Sequence, residues 1–261
     1  MVEARLQGSA RGATILVKVR CGDVEFSGVQ AIIFDKDGTL CDAAEYLRSL
    51  AQRRARLLDA QIPGVQEPVL MAFGVDESSN LNPNGLMAIG SRRENEVAAA
   101  AYVAETGRDW TEALRTAQRA FAEADQFLPR LKHAPLFPEV PRVLQALAAA
   151  GLKLGILSSD TGANVRAFVE HFGLTQLVSC AMGVDEGHSK PDPDLLRQAC
   201  AELKVEPSAT LMVGDSPADM QMAQQAGALG CVAVTCGLSP AHQLRQANAI
   251  VPNLSALTVI P

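Results

Sequence analysis

The sequence predicts an α/β protein: a parallel sheet core with helices on both faces, an inserted all-helical unit and an N-terminal β-hairpin. Three observations lead there. Short apolar runs such as Ala31-Ile-Ile-Phe34 and Leu211-Met-Val213 are each followed by polar residues and then by a helical pattern. These runs lack the in/out alternation of a half-exposed strand, which suits strands buried on both faces. Between the first and second of them lies a long stretch with helical spacing and no strand signal.

Taking the elements in order, residues 1–12 read as a loose leader. Thr14 to Arg20 alternate as a strand does, Cys21-Gly-Asp23 can turn, and Val24 to Phe26 can pair back as a hairpin. The hairpin reads as an edge decoration without chemistry. Gln30 to Phe34 is the first buried strand.

Residues 43–60 place Leu47, Leu50, Arg54 and Leu57-Leu58 at helical spacing, and Pro63-Gly64 ends that run. A short helix follows over Glu67 to Phe73, then GVDESSNLNPNG has loop composition. Ser91-Arg-Arg-Glu94 is a capping-box pattern, opening a helix that stops at Thr106-Gly107. Asp109-Trp-Thr-Glu112 repeats the pattern before a helix to Leu128, closed by Pro129. The expectation is four helices and no strand.

After Pro138 helix and strand alternate: helix 139–150, strand 152–157, helix 163–172, strand 177–181, helix 193–203, strand 210–213, helix 217–226, strand 231–234, helix 240–246, and a last short strand 249–251. Repeated βα units imply a parallel, Rossmann-like sheet. The expected division is leader and hairpin at 1–28, the α/β core at 29–41 and 136–261, and the helical unit at 42–135. No internal repeat is visible.

Composition excludes several function classes. The chain has 261 residues, 48% hydrophobic, with a net charge of −6. Nucleic-acid binding needs clustered, uncompensated Lys and Arg. The dense basic stretch Arg53-Arg54-Ala-Arg56 reads instead as a solvated helix face. Six cysteines without a C-x-x-C pair or a zinc-spaced histidine read as reduced thiols. No segment approaches the roughly 20 apolar residues of a membrane span. The expectation is a cytoplasmic protein that binds neither nucleic acid nor membrane; oligomeric state is not legible.

In open parallel sheets, sites lie beyond the carboxyl ends of the strands. There the first strand is followed by Asp35-Lys-Asp-Gly-Thr39, the second by Ser158-Ser159, and a later one by Gly214-Asp215-Ser-Pro-Ala-Asp219, while Lys190 stands in the loop HSKPDPD. Several carboxylates at one rim suggest a hard divalent cation such as Mg2+. Extended backbone points Asp35 and Asp37 the same way and Lys36 opposite. Gly38 permits a sharp departure of the chain, and Thr39 offers a hydroxyl and an amide. Lys190 is a compact charge suited to a phosphoryl oxygen. Ser158 and the amides beyond it make a donor cluster near a helix start.

DKDGTL resembles the first motif of the haloacid dehalogenase superfamily of phosphohydrolases, and LGILSS, Lys190 and GDSPAD are similar to its second, third and fourth. The intervening helices resemble that family's C1-type cap, and the layout is most similar to phosphoglycolate-phosphatase-like members. The resemblance implies Asp35 as nucleophile, forming an aspartyl-phosphate, and Asp37 as the acid and base. It also implies Mg2+ held by Asp35, the Asp37 backbone carbonyl and Asp215, with Asp219 steadying the metal shell or Lys190. Ser158 and Lys190 would bind the transferring phosphoryl group. The substrate implied is a small phosphorylated metabolite.

Thr39 and Ser159 join the expected substrate-binding set. Arg92 and Arg93, just inside a capped helix, can meet a substrate carboxylate or second phosphate, although such arginines are more often surface charges. Cys41 has no base beside it in the sequence, and His133, His171, His188 and His242 are isolated. A phosphomutase, a dehalogenase, a two-component receiver and a non-catalytic phosphate-binding module are the alternatives. The aspartate at position 37 argues against a dehalogenase, the large insertion against a receiver, and the intact set Asp35, Asp37, Lys190 and Asp215 against a module without turnover.

Overall fold

A computed structural model describes residues 17–185 and 189–260. The expected leader, the start of the first hairpin strand and His188 lie outside the described residues. The chain opens with β1 (Val17–Cys21) and β2 (Val24–Val29), paired antiparallel through Gly22, whose φ of 61° makes the turn. β3 (Ala31–Phe34) follows, buried along its whole length. Six helices come next: α1 (Ala44–Asp59), α2 (Gln66–Phe73), α3 (Leu86–Ile89), α4 (Arg92–Glu105), α5 (Trp110–Phe127) and α6 (Arg130–His133). Four helices were expected; α3 and α6 are single turns, too short to show a periodicity.

The remainder alternates as α7 (Val140–Ala149), β4 (Lys153–Leu157), α8 (Gly162–His171), β5 (Val178–Met182), α9 (Pro193–Leu203), β6 (Thr210–Gly214), α10 (Pro217–Ala226), β7 (Gly230–Val234) and β8 (Ala249–Val251). Two expectations fail here. Residues 240–246 form only a three-residue 3₁₀ turn, Ala241–Gln243. Leu244 is the one buried side chain in that stretch, so a longer helix would have no apolar stripe to dock. The strand at 249–251 is not the last either. β9 (Leu257–Ile260) pairs antiparallel with β1, making a three-stranded sheet ordered β2-β1-β9. The hairpin is thus the seat for the end of the chain.

The main sheet is parallel throughout, with order β5-β4-β3-β6-β7-β8. β3 lies between β4 and β6, so the chain winds outward in both directions from it, and its carboxyl end is the topological switch point. Successive side chains of β3 enter different cores. Ile32 and Phe34 pack in the cluster that holds α7, α8 and the helical insertion, while Ala31 and Ile33 pack with α9 and α10. That two-sided burial is why the strand reads as a continuous apolar run.

Within the insertion, α4 begins with the expected capping box: Ser91 Oγ accepts from the Glu94 amide at 3.2 Å, and the Glu94 carboxylate accepts from the Ser91 amide at 2.6 Å. α5 shows the forward half of that pattern, with Asp109 accepting from the Glu112 amide at 3.0 Å. Small residues line the helix contacts (Ala99, Ala100, Ala113, Ala117, Ala120 and Ala124, all fully buried), so α4 and α5 pack closely. Phe73 and Phe121 meet edge to face at their centre.

Candidate active site

The acidic residues converge because their strands are neighbours. Asp35 extends β3 by one residue, its amide donating to Val213 O at 2.8 Å. Asp215 follows the adjacent β6, and Asp219 occupies the first turn of α10 just beyond it. The chain turns sharply after Asp37: Gly38 has φ 83°, and a Cβ there would lie 2.2 Å from Asp215 Oδ2. Gly237, on the other side, would place a Cβ 2.0 Å from the same oxygen. Two glycines therefore let backbone close around one carboxylate, and the Leu238 amide donates to it at 3.0 Å.

Asp219 shows how a helix cap can serve a site. Its Oδ2 accepts from the Ser216 hydroxyl at 2.6 Å and amide at 3.2 Å, a second capping box with Pro217 at the first helical position. That bonding turns Oδ1 toward the Lys190 ammonium at 2.8 Å. Lys190 reaches Asp35 Oδ1 at 2.5 Å as well. Both carboxylates and the ammonium are buried.

Burial dominates the electrostatics. It pushes the Asp35 carboxyl up to about 6; Lys190 works against this, while Asp219 and Asp37 add to it. Asp215 is pushed well above the usual carboxylate range by burial first, then by Asp35 and Asp219. For Lys190, burial favours the neutral form, but Asp219 and Asp35 outweigh it and the ammonium is held more tightly than usual. Three buried carboxylates facing one ammonium leave negative charge uncompensated. Carboxylate oxygens of Asp35, Asp215 and Asp219 come within 4.8 Å of one another, an all-oxygen donor set that fits a hard divalent cation.

Asp37 lies beside this cluster and has a partner not expected from the sequence. Lys36 starts on the opposite side of the chain, yet its ammonium returns to donate to both Asp37 oxygens at 2.8 Å and lies 3.3 Å from Asp160 Oδ2. Lys36 is fully buried, with its ammonium 5.6 Å from the centre of the Phe168 ring. Its length allows what strand alternation alone rules out: the side chain leaves on one face and its tip folds around.

The other expected residues are distributed unevenly. Ser159 lines the spaces beside both Asp35 and Asp37, and its hydroxyl donates to Ile89 O of the helical insertion at 3.0 Å. Ser158 is buried, with its hydroxyl accepting from the Asp160 amide at 3.2 Å. Thr39 is fully buried, and its hydroxyl has no hydrogen-bond partner among the described residues. Arg92 lines a cavity of about 60 Å³ with Asp37 and Ser159, held by Glu96 at 2.8 Å and by Asp125. Arg93 is more than half exposed and lines a different recess, with Thr161 and Asp185.

The expected solvated face at residues 53–56 is a correction. Arg56 is exposed, but Arg54 is 6% exposed and lines the cavity above Asp37, and the Arg53 guanidinium stacks 4.1 Å from the Phe127 ring centre. The insertion buries α1 on more than one side, against both α2 and α5, and a charge count along the helix does not show this. Lys36, Arg54 and Asp160 are the site residues that motif reading missed. For Arg54 there was one signal: it falls on the same helical stripe as Leu47, Leu50 and Leu58.

The family model for haloacid dehalogenase-like hydrolases matches residues 29–227. A phosphoglycolate phosphatase from Synechococcus elongatus is 32% identical over 216 residues, covering 83% of this chain and 88% of that protein. This chain belongs to the haloacid dehalogenase-like hydrolases. An N-acetylmuramic acid 6-phosphate phosphatase from Pseudomonas putida is 26% identical over 205 residues, covering 76% of this chain and 80% of that one. Among solved structures, a haloacid dehalogenase-like hydrolase from Bacteroides fragilis superposes with a TM-score of 0.65 at 21% identity, over 87% of this chain and 98% of that chain. The family match spans β3 to α10, which includes every strand end that contributes to the acidic cluster. All six cysteines are free thiols, and no helix among the described residues is long and apolar enough to cross a membrane.

Proposed function

We propose that this hydrolase is a Mg2+-dependent phosphatase acting on a small phosphate monoester through an aspartyl-phosphate. The observation that carries the reading is Asp35 in contact with Lys190, inside a buried carboxylate cluster and next to a second aspartate. Relatives named as phosphatases support it.

In this reading Asp35 attacks phosphorus in line. The bond from its carboxylate oxygen forms as the bond to the ester oxygen breaks, and Asp37 gives that leaving oxygen its proton. Asp37 then takes a proton from water, whose oxygen attacks phosphorus and releases Asp35. Lys36, bonded to both Asp37 oxygens, holds this carboxylate in place for both transfers. Lys190 neutralises part of the charge on the transferring group, the main demand of phosphoryl transfer. Ser158, Ser159 and Thr39 belong to the loops that surround that group. Mg2+, held by Asp35, Asp215 and the Asp37 carbonyl with Asp219 supporting Lys190 or the metal shell, would supply further charge neutralisation.

The insertion at 42–135 serves as the cap. Ser159 to Ile89, Ser189 to Glu94 at 2.8 Å and Asn84 to Gln243 at 3.0 Å tie it to the core, which favours a closed, water-poor chamber over an open protein-binding face. A small, cytoplasmic phosphorylated metabolite fits that chamber better than a phosphoprotein. Hydrolysis of p-nitrophenyl phosphate with Mg2+ is the test. Asp35→Asn should lower kcat by roughly 10⁴-fold or more, and EDTA should abolish turnover reversibly; full activity after either treatment rejects the scheme.

A further inference from the structure

The helical insertion contains a buried arginine whose hydrogen-bonding capacity is mostly unspent. Arg54 lies over Phe121, its guanidinium carbon 4.2 Å from the ring centre. One terminal nitrogen is 3.3 Å from Asp125 Oδ1; the other is 3.8 Å from the Met87 sulfur, a weak acceptor. The buried Nε has no partner among the described residues. Asp125 does not balance Arg54 alone, because its other oxygen is taken by Arg92, which holds Glu96 as well. A guanidinium offers five donors in a planar fork, and burying one with a single shared carboxylate leaves it short of acceptors. Burial accordingly pulls the Arg54 pKa down, Asp125 opposes this, and Arg92 adds to the fall.

Arg54, Arg92, Asn95, Asp37 and Ser159 line one cavity of about 60 Å³, room for roughly four waters and so about four non-hydrogen atoms. Leu50, Arg54, Arg92 and Asp160 also border an outer chamber of about 420 Å³. The arginine thus stands where the organic half of an ester would lie when its phosphate is at Asp35.

We infer that Arg54 is the residue that selects the leaving group: it receives an oxyanion carried by the substrate's organic half, a carboxylate in the cavity above Asp37 or a second phosphate reaching into the outer chamber. This rests on the phosphatase reading above and adds the chemical class of substrate. A fixed guanidinium lacking a full partner costs free energy in the empty site that an anionic ligand recovers, and a neutral leaving group recovers little of it.

The test compares kcat/KM for three esters with a two-carbon skeleton: 2-phosphoglycolate, 2-hydroxyethyl phosphate and ethylene glycol bisphosphate. Wild type should favour the carboxylate or the bisphosphate over the hydroxyethyl ester by at least about thirtyfold, and whichever is preferred identifies the oxyanion. Arg54→Met should shrink that preference to below threefold, with Arg54→Lys between the two. A preference that survives both substitutions, or is missing in wild type, overturns the assignment. Wild type also tests it without a variant: glycolate should compete with p-nitrophenyl phosphate at far lower concentration than glycolamide, and equal potency, or no inhibition by either, counts against it. Hydrolysis of p-nitrophenyl phosphate without an acid preference removes this inference alone, whereas no hydrolysis of any ester removes the phosphatase reading with it.

Discussion

Two charge clusters, one buried and one partly buried, sit on either side of the proposed chamber, and they are built on different logics. At the sheet rim, Asp35, Asp215 and Asp219 cluster together and Lys190 pairs with Asp35 and Asp219, an excess of negative charge held by strand ends and a helix cap. In the helical insertion, Arg54 and Arg92 share Asp125, with Glu96 on the far side and Phe121 beneath, an arrangement close to neutral and held by helix faces. The rim gathers buried carboxylate oxygens that could hold a metal ion. The helical cluster is packed around an aromatic ring, so its charges are also part of that unit's core. Substitutions should therefore separate the two: loss of the rim ammonium removes chemistry, whereas loss of the aromatic ring beneath the helical cluster removes stability.

After the loss of Asp35 itself, the largest effect expected is at Lys190. Lys190→Met removes the ammonium held between Asp35 and Asp219 and should lower kcat by roughly 10³-fold, the scale seen when one preorganised charge partner is lost. A steady-state assay with p-nitrophenyl phosphate at saturating Mg2+ measures it. Loss below tenfold would mean the rim neutralises phosphate by other means.

Phe121→Ala should sharpen the contrast from the other side. The ring is fully buried, meets Phe73 at 6.0 Å and supports both guanidiniums, so its loss should cost about 3–5 kcal/mol of stability. Chemical denaturation with the linear extrapolation reads this directly. A change under 1 kcal/mol would show that the insertion does not depend on that ring.

The smallest expected effect is a shift in melting temperature with pH. Asp35 holds its proton up to about pH 6 in the fold, against an ordinary value of 3.8 when unfolded. Between those values the folded chain binds more protons than the unfolded one, so stability falls as pH rises from about 4 to 6. Asp215, shifted in the same direction, adds to the fall. Mg2+ should therefore raise the melting temperature by a few degrees at pH 7 and much less at pH 4.5. Thermal scans at both pH values check this, and a Mg2+ effect of equal size at both would remove the charge argument.

Much of the rim was legible because its residues are local to the signals that announce strands. Asp35 and Asp37 end an apolar run, and Asp215 ends another; whether the two strands are neighbours is what the sheet order β4-β3-β6 establishes. Ser91 and Glu94 announced their helix because a capping box is a contact between residues three apart. Lys36 was misread because strand alternation gives the direction of Cβ, and a lysine tip lies four carbons further on. The missing strand β9 and the shortened helix at 240–246 share another cause. Each depends on what the segment packs against: β9 needs β1 from the opposite end of the chain, and residues 240–246 have only Leu244 to bury.

The sequence by itself determined the βα alternation, the helical insertion and the identity of the rim carboxylates, because each is written in residues at most a few positions apart. Tertiary structure alone decided that Arg54 is buried, that Asp125 is shared between two arginines, and that Ser159 rather than Ser158 lines the spaces beside both aspartates. Those outcomes depend on contacts between residues 33 to 71 positions apart and on helix faces meeting in space. Burial of a charge is a property of everything packed around it, and one helix's own pattern carries only its own share of that.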